Sequence, residues 1–463
     1  MVRHVILGAG TAGKRAAEII RKQDQQAEIT LIEEEAEPFY YRPMLGRLLA
    51  GTGAVWVMKK DRDRFSRLGI RLVKKARVQS VDTRGQQVVC SDGSRVPYDK
   101  LLIATGRRTR RPTQDLQGAQ GVVVLDSLED AQRLALLLDA VRSAVVVGSS
   151  LQALEAMRGL RARGTDSTWL IPEERFWPAV LDQVASEIVE ERLRQEGVNL
   201  LRQTDVQEIL VERGTLRGVL TSRDDRVPAD LVVIAAPQYA ELGFLQGTDL
   251  EINKGVLVDE SLRTRQENVF AAGDAARPPL AGARVSVPQP GWLNAWRQGN
   301  VAGMNMAGKT SRYEGVPSLR TQAFDLDIVC LGLSAAQGQG ITEESGDYPY
   351  AELPYVYKKL VYRSRQVVGA IFLGDVSEAG KVEHWVRQAV PADQCDRRVL
   401  DQMFRPRLIE SVAMGALCPV CKFQIQVGEG ERAGQVVACP ACGFEFRLEW
   451  MPNGVFRAVP LSD

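Results

Sequence analysis

Short apolar runs that stop at small residues recur along this chain, and helical periodicity follows several of them. The first run, Val2-Arg3-His4-Val5-Ile6-Leu7, ends at Gly8, after which Ala12, Ala16, Ile19 and Ile20 lie on one helical face. Strand, tight turn and helix are predicted. A second strand, Glu28-Ile29-Thr30-Leu31-Ile32, then runs into Glu33-Glu34-Glu35. Residues 77–82, 87–90 and 95–97 are punctuated by turn residues and predict a small meander, which leads into an apolar strand closing at Ala104-Thr105-Gly106. The pattern restarts at Ala144-Val145-Val146-Val147-Gly148, with helices expected at 151–163 and 182–196 and another apolar strand at 231–235. Strands that are apolar throughout suit burial on both faces of a parallel sheet. Two α/β units in tandem are therefore predicted, followed by a third piece carrying Ala271-Ala272-Gly273-Asp274 and a helix at 292–308. From 313 to 405 the pattern changes to strands with hairpin turns, at 324–333, 358–362 and 366–375, which predicts a small α+β domain.

Composition narrows the functional classes. A length of 463 residues suits about three domains, and 45% hydrophobic against 25% charged residues suits several globular cores. Fifty-nine basic and 58 acidic side chains leave no overall field to draw the chain to nucleic acid or an anionic membrane, so neither is expected as a partner. The run Arg107-Arg108-Thr109-Arg110-Arg111 is the local exception. A solvated loop is expected there, from which one arginine could serve a phosphate-bearing ligand. No run of 18 apolar residues exists and the first strand begins at the second residue, so a cytoplasmic protein without a secretory leader is expected.

The turn Gly8-Ala9-Gly10-Thr11-Ala12-Gly13 has the spacing of a dinucleotide-binding turn. Its first glycine turns the chain, the second admits a pyrophosphate to the backbone, and the third lets helix and strand pack closely. The unpaired N–H groups of the helix then face the phosphate. An acid ending the next strand, here Glu33, can accept from ribose hydroxyls. Taken in order, this turn, Ala104-Thr105-Gly106, Gly148 with Glu155, and Ala272-Gly273-Asp274 resemble the pyridine-nucleotide flavoprotein reductases over roughly residues 1 to 400. The segment Glu37-Pro38-Phe39-Tyr40-Tyr41-Arg42-Pro43-Met44-Leu45 is similar to that of the rubredoxin, ferredoxin and nitrite reductase flavoprotein branch. So is the pattern running from Lys358 through Gly369 to Asp375.

The resemblance implies an α/β fold with two Rossmann-like domains. FAD would lie in a domain built from 1–113 and 243–312, NAD(P)H in 114–242, with a small α+β domain at 313–405 and a metal-binding tail at 413–463. Gly8, Gly10, Ala12 and Gly13 would cradle the FAD pyrophosphate, Glu33 the ribose and Val78 the adenine. Ala104, Thr105 and Gly106 would border the cofactor, Gly273 and Asp274 would face its ribityl and phosphate portion, and Arg42 would lie beside the flavin. Trp292, Asn294, Trp296 and Gln298 lie where relatives cover the flavin, although a packed aromatic helix would explain the tryptophans equally. No cysteine stands near the first turn or at Met44, so electrons are expected to leave the flavin for a redox-protein partner or small acceptor without a thiol relay. His4 and His384, the only histidines, are expected to be structural.

The nicotinamide site departs from the pattern. Ser150 replaces the middle glycine after Gly148, where its side chain is expected to intrude on a pyrophosphate; the next strand offers no acid until Glu173; and Ala235-Ala236-Pro237 replaces a second Ala-Thr-Gly. Two readings therefore stand: an FAD-dependent NAD(P)H oxidoreductase, or a flavoprotein subunit with a degenerate nucleotide site that exchanges electrons between protein partners. In relatives a glutamate equivalent to Glu155 pairs with a lysine whose place is Arg47 here. An Arg47 and Glu155 pair would keep positive charge near the reactive edge of the flavin, the alternative being two surface residues.

Cys418-Pro419-Val420-Cys421 and Cys439-Pro440-Ala441-Cys442 can close a tetrahedral four-thiolate site. The tail resembles a zinc ribbon, with strands expected at 423–427 and 435–438 and a structural role, since a closed site has no open position for chemistry. Zinc is expected, rubredoxin-type iron being the alternative. The oligomeric state, a homo-oligomer included, stays open.

Overall fold

The computed structural model describes the chain except residues 38, 43–44, 50–63, 112–119, 236–237, 281–288, 336–340, 347–355, 401–413, 419–423, 428–432, 440–444, 451–455 and 461–463. The first turn grows out of a five-stranded parallel sheet in the order Val269–Ala271, Lys100–Ile103, Arg3–Leu7, Glu28–Ile32, Arg71–Val73. Its register pairs Leu7 with Ile32 and Ile103, and Ile103 with Ala271. Gly8, Glu33, Ala104 and Ala272, each the next residue on, thus emerge side by side at the carboxyl ends of the strands, where open α/β sheets bind ligands. The strand at 269–271 comes from beyond the second α/β unit, so this sheet is assembled from two separated stretches of chain.

The second sheet repeats the plan with Val198–Arg202, Asp166–Ile171, Ser143–Val147, Leu231–Ile234 and Val122–Val124, all parallel. Val147 pairs with Leu170 and Ile234, which brings Gly148, Ile171 and Ala235 together. Each unit carries an antiparallel meander, at Val78–Asp82 to Arg95–Pro97 and at Val206–Glu212 to Arg226–Pro228.

Helices Thr11–Gln23 and Trp292–Met306 cross at glycine. A Cβ on Gly299 would stand 2.4 Å from the Ala12 carbonyl oxygen, and one on Gly303 2.8 Å from that of Ala16. This close approach seats the start of the later helix beside the first turn, where a Cβ on Gly273 would lie 3.1 Å from that of Ala12.

The small domain is an antiparallel sheet in the order Ser318–Ala323, Leu326–Gly332, Gln366–Leu373, Tyr357–Arg363, Ile341–Ser345, covered by helix Ala379–Arg387. Period-two alternation divides its faces. Val329, Leu331, Leu360 and Phe372 pack with Val382 and Trp385, whereas Ile328, Cys330, Ile371 and Leu373 join the core of the second α/β unit. The strand expected at 324–333 starts two residues later, because Phe324, at φ +56°, and Asp325 form the turn of a hairpin. Its first arm, Ser318–Ala323, escapes a hydrophobic reading through Arg320, Thr321 and Gln322.

In the tail, Met414–Leu417 pairs with Gln424–Val427, and Val436–Ala438 with Glu445–Trp450, which also pairs with Phe456–Pro460. The two strands expected between the cysteine pairs therefore belong to separate sheets. Leu417 pairs with Gln424 and Ala438 with Glu445, so Cys418 and Cys439 each directly follow the first arm of a hairpin.

Candidate functional site

One cleft of about 1950 Å³ runs along the carboxyl ends of both parallel sheets and under the small domain. At the first turn, Gly8 adopts φ +97° and donates its N–H to the Ile32 carbonyl at 2.8 Å. A Cβ there would stand 2.4 Å from the Ala104 oxygen, and one on Gly13 would stand 1.9 Å from the Gly8 oxygen. Gly10 differs: a Cβ on it would meet nothing within 4 Å. Gly10 is also the cap of helix Thr11–Gln23, with no side-chain hydrogen bond closing the helix end. The first turn thus presents open space and uncapped N–H donors to the cleft, a fit for an anion of pyrophosphate size.

Glu33 borders this turn. Its carboxylate accepts from the Ala9 N–H at 2.6 Å and the Glu35 N–H at 3.1 Å, and burial raises its carboxyl above the ordinary range. Glu35 accepts from the Tyr40 hydroxyl at 2.8 Å and binds Arg42, whose other arm donates to the Asp126 carbonyl at 2.6 Å. Arg42 therefore reaches the cleft wall already oriented. Val78, Ala104, Thr105, Gly106, Gly273 and Asp274 line the same cleft, while Gly13 supports it from behind.

Asp274 accepts from the Gly291 N–H at 3.1 Å. Burial raises its carboxyl and the facing Arg107 pulls it down. Arg107 itself has a buried Nε without a hydrogen-bond partner, and Trp292 Nε1 and Asn294 Oδ1 are in the same condition. All three residues line the cleft. Gln298 instead lies wholly buried behind it, accepting the Gly273 N–H at 2.8 Å, and Trp296 stacks under Arg15, so neither is among the lining residues. The solvated loop expected at 107–111 holds for the exposed Arg110 and Arg111 but not for Arg107, Arg108 and Thr109. Arg108 binds Glu34 and, at 3.0 Å, Glu241, and Arg77 reaches the same two carboxylates. The register of the first sheet puts this loop at the cleft, a placement that its charge alone does not disclose.

The second turn is built differently. Gly148 repeats φ +97°, but two tryptophans latch the turn: Trp169 Nε1 donates to the Gly148 carbonyl and Trp177 Nε1 to the Ser149 carbonyl, both at 2.8 Å. Trp177 does so from φ +49°, a backbone conformation unfavourable for a bulky residue. Ser150 donates its hydroxyl to the Ala235 carbonyl at 2.5 Å and accepts from the Ala153 N–H at 3.1 Å. Its hydroxyl is thus folded back onto the helix end and the neighbouring strand. Glu173 lines the cleft with a buried Oε2 that has no hydrogen-bond partner. Glu155, also in the wall, pairs with Arg158 at 2.9 Å. Arg47 lies on helix Leu45–Leu49, but its side chain is outside the described residues, as are Ala236 and Pro237.

Residues 2–299 match the pyridine nucleotide-disulphide oxidoreductase family. The chain belongs to that family. It is 29% identical over 395 residues to the ferredoxin--NAD(+) reductase component of the p-cumate 2,3-dioxygenase system of Pseudomonas putida, covering 84% of this chain and 94% of the relative. It is 30% identical over 336 residues to the corresponding component of the anthranilate 1,2-dioxygenase system of Burkholderia cepacia, covering 72% and 82%. The fold is shared with a ferredoxin reductase from Rhodopseudomonas palustris at a TM-score of 0.77 and 23% identity, over 85% of this chain and 97% of that one.

Family members of the disulphide-reducing kind use thiols, and here Cys330 does line the cleft. Burial pushes its thiol well up, which disfavours the thiolate that a relay needs. His4 is buried in the first strand and His384 lies on helix Ala379–Arg387, and neither lines the cleft. In the tail Cys418 and Cys439 are buried, whereas Cys421 and Cys442 are outside the described residues. Among the described residues no group of three or more His, Cys, Asp or Glu side chains is placed to hold a metal. No described helix is long and apolar enough to cross a membrane.

Proposed function

We propose that this family member is an FAD-dependent oxidoreductase that takes electrons from NAD(P)H and passes them to a redox protein or small acceptor without a thiol relay. The observation carrying this reading is the single cleft that joins the open first turn, Asp274, the second turn and the small antiparallel sheet. The names of the two relatives, each a ferredoxin--NAD(+) reductase component, support a redox-protein partner. When bound, FAD supplies a two-electron hydride acceptor that can release electrons one at a time.

The protein positions and shields. Gly8, Gly10, Ala12 and Gly13 hold the pyrophosphate, Glu33 the ribose and Val78 the adenine side, within a domain of residues 1–113 and 243–312. Ala104, Thr105, Gly106 and Gly273 complete the floor, and Arg42 and Asp274 supply fixed charge along it. The unpartnered donors on Arg107 and Trp292 and the Asn294 acceptor suit a polar ring system. Residues 114–242, with Gly148, present the nicotinamide nucleotide, and 313–405 closes the cleft. In that second domain Glu155 stands in the cleft wall beside Arg158, and the proposed positive group at the reactive edge of the flavin is Arg47, paired with Glu155.

We propose further that Cys418, Cys421, Cys439 and Cys442 hold a structural zinc. The buried sulfurs of Cys418 and Cys439 and the two hairpins support it, since each hairpin can offer a thiolate pair to one ion. Metal analysis of purified protein checks this: one zinc per chain is expected, and a thiolate-to-iron absorption band would replace zinc by iron.

Anaerobic titration with NADH and then NADPH, following the flavin absorption band, tests the main reading. Bleaching by either is expected. Flavin colour intact with both but lost with dithionite would favour a subunit that exchanges electrons between proteins, the reading that the sequence departures at Ser150 and Pro237 suggest. Protein without flavin would overturn both.

A further inference from the structure

The two glycine turns of this chain share a backbone shape and differ in who occupies the helix end. In both, the leading glycine sits at φ +97° and the following helix begins three residues later. At the first, the cap is Gly10 and no side chain closes the helix. At the second, the cap is Ser150, whose hydroxyl takes the Ala153 N–H at 3.1 Å. That hydroxyl is not free to rotate away, because its proton goes to the Ala235 carbonyl at 2.5 Å. Nor can the peptide before it yield easily, since Trp177 holds the Ser149 carbonyl at 2.8 Å and Trp169 holds that of Gly148 at the same distance.

Ser150, Ser149 and Trp177 all line the cleft, so this fixed turn is the surface that a nucleotide in the second domain meets. A helix N-terminus offers four unpaired N–H groups to an anion. Here one of them is spent internally, on the Ser150 hydroxyl, and is withdrawn from a phosphate that approaches the helix end. We infer that Ser150 is an affinity-setting residue that makes the second dinucleotide site loose, so that the nucleotide of the second domain exchanges readily while FAD in the first stays bound. The inference rests on the proposed use of NAD(P)H, and it identifies the serine as a cap that tunes that site.

The same sequence departure that suggests an abandoned site thereby acquires a graded role. A lost site requires obstruction, whereas the hydroxyl is tied down on both sides and withdraws a donor. The difference is measurable. Exchanging one neutral internal hydrogen bond for one to a phosphate corresponds to roughly 1.4 kcal/mol, a tenfold change in affinity. Glycine at a cap costs the helix only a few tenths of a kcal/mol relative to serine, and threonine retains a capping hydroxyl.

The test is equilibrium titration of oxidised, FAD-loaded full-length protein with NAD+ and with ADP-ribose, which carries the pyrophosphate and cannot react. Ser150→Gly should bind both about tenfold more tightly, and Ser150→Thr should stay within twofold of the native chain. In steady state KM for the reduced nucleotide should fall in Ser150→Gly with kcat lowered or unchanged. Native binding with no gain in Ser150→Gly, or an equal gain in Ser150→Thr, would overturn the inference and leave the reductase reading standing. Absence of binding in the native chain and in Ser150→Gly alike would overturn both.

Discussion

Gly10→Ala separates folding from cofactor binding, because the two requirements fall on different glycines of one turn. Gly10 has φ −67° and ψ −169°, a conformation open to any L residue, and a Cβ on it meets nothing within 4 Å. Alanine there should cost the unliganded protein nothing sterically. By restricting the unfolded chain it should even add about 0.4–1 kcal/mol. The open space it fills is the approach to the uncapped helix end. Losing one or two charge-assisted hydrogen bonds to a pyrophosphate, at about 1.5–3 kcal/mol each, should weaken FAD by at least tenfold. Gly13→Ala offers the contrast, since its Cβ would overlap the Gly8 oxygen at 1.9 Å, a backbone atom that cannot move without the strand. The assay prepares apoprotein, measures its stability by urea unfolding and titrates FAD by quenching of flavin fluorescence. Expected are native-like stability with weakened FAD in Gly10→Ala, and loss of both in Gly13→Ala. FAD affinity within threefold of native in Gly10→Ala would refute the assignment of this turn to the pyrophosphate.

Three further outcomes follow from the geometry. His4 is buried and its pKa is lowered to about 4, chiefly by that burial and next by Lys100. The unfolded chain binds the proton first, so stability should be full above about pH 6.5 and fall by up to ~3 kcal/mol as the pH drops to 4, a slope that His4→Phe should remove in acid unfolding curves. Glu383, 3% exposed, binds Arg297, Arg387 and, at 2.8 Å, Arg320, and although burial raises its carboxyl, these arginines, Arg297 foremost, hold it below the ordinary value. Glu383→Ala should destabilise the small domain by about 3–5 kcal/mol, lowering its unfolding midpoint in guanidinium; an unchanged midpoint would show that the arginines find water instead. Glu173 Oε2, buried without a partner in the cleft, suits a ribose hydroxyl and repels a 2′-phosphate, so NADH should have the higher kcat/KM and Glu173→Gln should narrow its advantage over NADPH, whereas a native preference for NADPH would count against that contact.

What the chain discloses before folding is the part written in local sequence. Glycine spacing, apolar strands and the acid at Glu33 specify one turn each, and the register of the first sheet then brings Gly8, Glu33, Ala104 and Ala272 to one edge. Contacts that depend on distant segments leave no such trace. Arg107 and Arg108 belong to a charged run that suggests solvent, and only the fold sets them against Asp274 and against Glu34 and Glu241. Ser150 is the instructive case. From spacing alone its side chain obstructs, because a pattern records that a glycine is missing and not where a hydroxyl turns. Ala235, just past the strand Leu231–Ile234, supplies an acceptor 2.5 Å away and the helix supplies a donor at 3.1 Å, so the same substitution becomes a cap. Its partner Ala153 is three residues along, within the span of a legible N-cap motif, whereas Ala235 lies 85 positions away. A serine in a nucleotide turn can thus be read as a cap locally, and its immobility only from the neighbouring strand.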